Sequence, residues 1–267
     1  MGHVDVPVRP GDAQRRRPGK AGRRKPGNAA RRRRFIPPQH GAWAMLVVPY
    51  LAGLVAAGYR WPDAPLLGAW IAGYLLSYYA FQAVKSRRVQ RYRTQLVLYA
   101  AVAAPLALLV VVARPGVLVY APGYAALFAV NTWYAARRQE RAFVNDLASV
   151  LQSCLMVFVV AAVADVPPAA VFGMFVLCVA YFVGTVCYVK TIIRERGNPT
   201  YLRLSVGYHV LALAVAAWFG LMPAALFAWL LARAALLPGR GWTPKRTGVV
   251  EIVNCALMLL VAGTALA

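Results

Sequence analysis

This sequence predicts an all-α bundle of about nine membrane-crossing helices, and three observations carry that expectation. Hydrophobic residues fill 61% of the 267 positions and charged ones only 14%, against roughly 45–50% apolar and about 25% charged in soluble domains. The apolar residues come in blocks near the ~17–25 residues that a helix needs to cross a bilayer, recurring from Ala42 to the carboxyl terminus. The basic residues gather between alternate blocks, as membrane topology requires.

Residues 1–34 are a block of Pro, Gly and Arg ending in Arg31–Arg34. With so little to bury, such a segment cannot offset its ordering entropy, so it reads as a disordered basic tail. It serves as a solvated leader that holds the amino terminus inside. It is also suited to attract anionic lipid headgroups, at about 1 kcal/mol per Lys or Arg near the surface. A cleaved signal peptide fits poorly, because the apolar run after the charges is long and continues past Pro49.

Residues 35–267 form a single transmembrane domain with expected spans at 42–58, 66–84, 95–113, 116–136, 146–164, 168–190, 203–219, 221–237 and 249–266. Trp61-Pro62-Asp63, Arg114-Pro115-Gly116, Val166-Pro167-Pro168 and Gly220-Leu221-Met222-Pro223 punctuate the tight connections. Asn145 or Asp146 reads as the cap of the fifth span. The sixth is expected to run on through Arg196, until Gly197-Asn198-Pro199 stops it.

Charge tests this count. With the amino terminus inside, the inner segments hold 28 of the 30 basic residues, and only Arg60 and Arg114 fall outside. Gaining or losing a span in mid-chain would invert every later loop. The expectation is a plasma-membrane protein with a cytoplasmic amino terminus and an outside carboxyl terminus. The net charge of +22 does not indicate nucleic acid, because the cations sit in a leader and short loops rather than on a soluble face. Cys154, Cys178, Cys187 and Cys255 all lie inside apolar spans and read as small core residues.

Polar groups near a membrane are costly, so their placement is informative. They collect toward the inner side: Gln39 and His40 before span one, Gln82 and Lys85 after span two, Asn131 inside span four. Glu140, Arg141, Asn145 and Asp146 follow, then Lys190, Tyr208 and His209, with Glu251 and Asn254 one turn apart in span nine. The expectation is a polar pocket open to the cytoplasm. Each residue also has a plain role available: His209 bonding a neighbouring helix, Glu251 pairing with a loop cation, Lys190 and Arg194 anchoring at the interface.

Several chemistries lack their residues. There is no HExxH or paired Cys/His spacing, and three histidines leave little for zinc, so no metal is expected. No Walker-type phosphate loop and no G-x-S-x-G elbow is present. The sequence names no catalytic residue and no cofactor.

Ile36-Pro37-Pro38-Gln39-His40-Gly41-Ala42-Trp43-Ala44-Met45-Leu46 resembles the opening stretch of the bacterial YwiC-like membrane proteins. Arg138 to Leu147, containing Glu140-Arg141 and Asn145-Asp146, looks like their ERxxxND loop, and Ile193-Arg194-Glu195-Arg196-Gly197-Asn198 like their IRERGN. The resemblance covers residues 35–267. It implies a membrane bundle and adds Trp43, Glu195 and Asn198 to the candidate residues, without naming a reaction. A weaker, fold-level likeness is to the UbiA-type intramembrane prenyltransferases, which hold a prenyl diphosphate through magnesium on aspartate-rich loops after spans two and six. Here those loops, Gln82–Arg88 and Lys190–Arg196, contain no aspartate. Glu195 alone cannot supply the oxygen ligands magnesium needs.

Three functions remain open at this point. Lys85, Arg141, Lys190 and Arg194 can bind a phosphate, diphosphate or carboxylate directly, lipid-linked or free. His209, Glu251 and Asn131 can line a proton-coupled path for a small solute. The basic loops can dock a soluble partner, as a membrane scaffold would.

Overall fold

The structure is a computed structural model that describes residues 40–264 together with Gly2 and Phe35; the basic tail expected over 1–34 and the candidate Gln39 lie outside the described residues. Among the described residues the secondary structure is all helical. The α-helices are α1 (His40–Ala57), α2 (Asp63–Ser86), α3 (Val89–Ala113), α4 (Ala121–Ala136), α5 (Phe143–Cys154), α6 (Met156–Val163), α7 (Pro168–Ile193), α8 (Pro199–Trp218), α9 (Leu221–Leu236) and α10 (Pro244–Thr264). Helices α5 and α6 meet at Leu155 within one apolar stretch, so ten helices make nine rods. Six are long and apolar enough to cross a membrane: α2, α3, α5–α6, α7, α8 and α10; α1 and α9 are shorter apolar helices.

Burial divides the bundle. Half of the apolar window of α7 is buried, against 11% of that of α3, so α7 is the axis and α3 a flank. Val171, Met174, Leu177, Cys178, Tyr181 and Phe182 of α7 pack with Val48 and Ala52 of α1, Val157 of α6, Ala212 of α8, Leu230 of α9 and Met258 of α10. A second cluster joins Tyr50 of α1, Leu66 of α2 and Val110 of α3 to Val160 and Val163 of α6. Gly53 permits the closest of these approaches: a Cβ there would stand 2.9 Å from Val160 Cβ and 3.3 Å from Val157 Cα. Polar groups pin the first rods, with Trp70 Nε1 donating to Leu46 O (2.9 Å) and Tyr50 OH to Asp63 O (2.9 Å). On the flanks Val102, Leu108 and Val112 of α3, Leu211 of α8 and Leu260 of α10 face outward. Apolar side chains on the outside of closed helices are what a bilayer requires of an integral protein.

The expected spans are all helical, with local corrections. The fourth opens as a 3-10 turn over Pro115–Tyr120, because Pro122 lacks an N–H and its ring excludes an α-helical turn before it. The fifth starts at Phe143, and its N-cap, Ala142, makes no side-chain cap bond. Asn145 and Asp146 therefore do not cap it: Asn145 Nδ2 donates to Glu140 O (2.9 Å), and Asp146 turns to α7. The sixth stops at Ile193, three residues early, where both Arg194 N and Glu195 N return to Lys190 O. Gly197 takes φ +82° as a glycine can, and Asn198 caps α8 by accepting from Thr200 N (3.1 Å) and Tyr201 N (3.2 Å).

Candidate functional site

The ends of α2, α4, α7 and α9 and the starts of α3, α5, α8 and α10 lie at one end of the bundle, since successive rods alternate in direction. Those polar side chains singled out in the sequence that are described sit toward this end, and they form three networks rather than one pocket.

The first lies at the mouth. Lys85, in the last turn of α2, pairs with Glu140 in the loop before α5 (2.6 Å). Burial raises the Glu140 carboxyl, but the Lys85 ammonium and the nearby Arg141 outweigh it and hold Glu140 below the ordinary carboxylate range. One turn into α5, Asp146 pairs with Lys190 of α7 (2.5 Å). Lys190 is only 8% exposed; it also donates to Arg141 O (3.3 Å) and lies 5.3 Å from the centre of the Phe143 ring. Arg194 acts on the same Asp146 carboxylate while itself exposed. Burying Lys190 is tolerable because a carboxylate and a carbonyl meet its ammonium. Glu195 stays local, accepting from Asn198 Nδ2 three residues on (2.9 Å).

The second is an amide ladder between α4 and α5. Asn131 Nδ2 donates to Gln152 Oε1 (2.9 Å), Ser149 Oγ to Asn131 Oδ1 (3.3 Å), and Ser149 Oγ also reaches Asn145 O (3.0 Å). Asn145, Ser149 and Gln152 share a face because they stand four and three residues apart.

The third is enclosed by α7, α8, α9 and α10. Arg233, in the last turn of α9, has a side chain with 0% exposure and forms an ion pair through Nη1 with Glu251 Oε1 of α10. Its guanidinium lies 4.2 Å from the centre of the Tyr188 ring. Glu251 is further held by Thr185 Oγ1 (3.3 Å) and Asn254 Nδ2 (3.4 Å), and Trp229 Nε1 fixes the amide by donating to Asn254 Oδ1 (3.0 Å). His209 of α8 is buried beside them with Nδ1 on Ser205 O (2.7 Å), close enough for the Arg233 charge to act on its ring. Gly184 of α7 makes room: a Cβ there would be 3.1 Å from His209 Nε2 and 3.4 Å from Tyr208 Cε1. Tyr208 OH donates to Ala180 O (3.1 Å).

Of the remaining candidates, Trp43 stands apart against Tyr74, ring centres 5.8 Å apart. His40 begins α1, but its side chain lies outside the described residues. A cleft of about 190 Å³ between α7 and α8 is lined by apolar residues and Tyr208, so the polar groups close on one another instead of lining it. Among the described residues no three His, Cys, Asp or Glu side chains gather as a metal site needs.

Arg233, which the sequence shows only as one of the inner basic residues, is not singled out there, nor are its partners Tyr188, Thr185 and Trp229. A signal was present: Arg233 has apolar residues on both sides, in Leu230-Leu231-Ala232 and Ala234-Ala235-Leu236. Gln152 and Ser149 carried one too, the four- and three-residue spacing from Asn145.

A model of the YwiC-like proteins matches residues 36–161. Across most of the chain, 32% of 238 residues are identical to the Uncharacterized protein YwiC of Bacillus subtilis (strain 168), covering 86% of this chain and 97% of that one. This chain belongs to the YwiC-like family. An uncharacterized protein of Haemophilus influenzae is 31% identical over 237 residues, 85% of this chain and 98% of its own. The family match contains Lys85, Asn131, Glu140, Arg141, Asn145 and Asp146, the first two networks apart from α7. The third network lies beyond residue 161, outside that match. No solved structure matches the chain.

Proposed function

We propose that this multi-pass protein lies in the plasma membrane, crosses it nine times with the basic end in the cytoplasm, and holds an anionic small molecule, lipid-linked or free, at the mouth formed by α5 and α7. One observation carries the reading. At the mouth the cations Lys85, Arg141, Lys190 and Arg194 outnumber the carboxylates Glu140, Asp146 and Glu195, so it keeps positive charge after the Lys85–Glu140 and Lys190–Asp146 ion pairs are made. Arg141 and Arg194 are exposed and can grip a phosphate or carboxylate in bidentate fashion, while buried Lys190 fixes the floor. Native mass spectrometry of the protein purified in mild detergent tests it. A defined anionic adduct lost in Arg141→Ala/Arg194→Ala, with the fold intact, is expected; the same adduct at full occupancy in that variant overturns the reading. For orientation, cysteines placed at Arg138 and Arg60 should be labelled from opposite sides of sealed vesicles.

A second reading, proton-coupled transport of a small solute, is favoured by the burial of His209 within membrane-length α8 and of the Arg233–Glu251 pair between α9 and α10. Solute uptake into proteoliposomes that requires a proton gradient and is lost in His209→Ala supports it. Uptake that persists in that variant excludes His209 from the path.

A further inference from the structure

The guanidinium of Arg233 has two usable sides. Nη1 meets Glu251, whereas Nε and Nη2 are both buried and find no acceptor among the described residues. Nε–H and the adjacent Nη2–H point the same way and form the side-on fork that matches two oxygens of a carboxylate or phosphate. A buried, charged donor left unmatched is among the more costly groups a fold can contain. One further buried polar atom, Ser205 Oγ on the helix that carries His209, likewise has no hydrogen-bond partner among the described residues.

We propose that the Nε–Nη2 edge of Arg233 is a binding site for one oxyanion group, a carboxylate or phosphate, inside the four-helix enclosure of α7 to α10. Glu251 does not compete for that edge, because Thr185 Oγ1 and Asn254 Nδ2 hold it on the Nη1 side. The stacked Tyr188 ring keeps the guanidinium plane fixed. The added negative charge falls in a positive field: Arg87, Arg88, Arg137, Arg138, Arg196 and Arg240 stand exposed at this end of the bundle. Access is short. Arg233 lies in the last turn of α9, and residues 237–243 above it contain Gly239 and Gly241, both at positive φ (84° and 69°). Trp242 of that loop packs on Tyr188, Ile192 and Ala234.

The site is separate from the Arg141–Arg194 mouth, and its test separates the two. Thermal unfolding of the full chain in detergent is titrated with inorganic phosphate and with acetate. In a second arm the protein is placed in nanodiscs of phosphatidylcholine with or without phosphatidic acid. Arg233→Lys keeps the charge but has no fork, so it should weaken binding about tenfold or more, the value of one lost charge-assisted contact, while Arg60→Ala, in the loop between α1 and α2, leaves it unchanged. Glu251→Gln keeps the fork and removes the neighbouring charge, so it should bind more tightly and gain more stability from the same anion. Saturable stabilisation by phosphate or acetate identifies a free oxyanion; stabilisation only by phosphatidic acid identifies a lipid headgroup; both support the site if Arg233→Lys and Glu251→Gln shift it as stated. Absence of saturable stabilisation in every arm, or identical titrations for wild type and Glu251→Gln, overturns it and leaves the fork to bound water. Loss in Arg194→Ala but not in Arg233→Lys also overturns it, assigning the anion to the mouth.

Discussion

Replacing Glu251 by leucine removes the carboxylate that faces Arg233, and replacing Arg233 by methionine removes the cation that faces Glu251; the structure makes these two losses unequal. Breaking a buried ion pair from one side costs about 3–5 kcal/mol, because the remaining charge stays buried. Arg233 has 0% side-chain exposure and, without Glu251, retains among the described residues the Tyr188 ring at 4.2 Å, a contact of ~0.5–2 kcal/mol. Glu251 is 14% exposed and keeps Thr185 Oγ1 and Asn254 Nδ2 when Arg233 is gone. Glu251→Leu should therefore fall at the upper end of that range and Arg233→Met at or below the lower end. The double variant, which buries two apolar side chains and no charge, should be more stable than Glu251→Leu alone. For a chain of this size 1 kcal/mol moves Tm by roughly 2–4 °C, so the larger loss reads as a fall of about 10–20 °C in detergent. Equal losses for the two single variants, or a double variant at the sum of both, would refute the reasoning.

Gly53→Ala should lower Tm, because its Cβ would meet Val160 Cβ at 2.9 Å and the backbone of Val157 at 3.3 Å, an overpacking cost of about 1–3 kcal/mol; Gly73→Ala, which meets nothing within 4 Å, should leave it unchanged or raise it. Asn198→Ala should cost about 1 kcal/mol through the lost α8 cap, and Asn198→Ser, which restores a capping oxygen without setting a charge against Glu195, should recover most of it in the same melt. The Lys85–Glu140 pair gives acid-dependent stability: with Glu140 held below its ordinary value of 4.5, its contribution is present above that value and disappears as pH falls through the lowered one. Glu140→Gln should flatten that acid limb, and added salt should shrink it in the wild type, since the two side chains are 40% and 33% exposed.

The rods were legible because a bilayer leaves the chain few options: long apolar runs must close their own backbone hydrogen bonds, and the charged stretches between them mark the turns. What composition cannot show is which way a polar side chain points at a helix end. Arg233, followed by Arg240, Lys245 and Arg246, reads as one more interfacial cation, yet it turns inward to a carboxylate eighteen residues away. Asp146 has the right type for a cap, yet its partner, Lys190, lies on another rod. The mouth was partly legible, since Lys85, Glu140, Arg141, Asp146, Lys190 and Arg194 were all named from the sequence. Their division into pairs was not, because pairing depends on rods separated by long stretches of chain. The early stop of α7 at Ile193 has the same origin: Arg194 N and Glu195 N both close on Lys190 O, a choice that no breaker residue announces.

Whether the mouth and the Arg233 enclosure act as one site or two depends on α7, which carries a residue of each. Lys190 faces Asp146 of α5, and Tyr188 lies beneath Arg233 of α9. Two positions along a helix are about 200° apart around its axis, so the residues occupy nearly opposite faces of the most buried rod, and the two ion pairs share no side chain. Effects at sites without shared partners add within about 0.3–0.5 kcal/mol. Asp146→Asn leaves the Lys190 ammonium buried with the Arg141 carbonyl as its remaining oxygen partner, and should destabilise the fold on its own. Combined with Glu251→Leu, the two losses should add. A double variant that departs clearly from the sum would mean that the end of α7 shifts as a unit, so that an anion held at one pair is felt at the other; the Arg194→Ala and Arg233→Lys titrations would then report on a single coupled site.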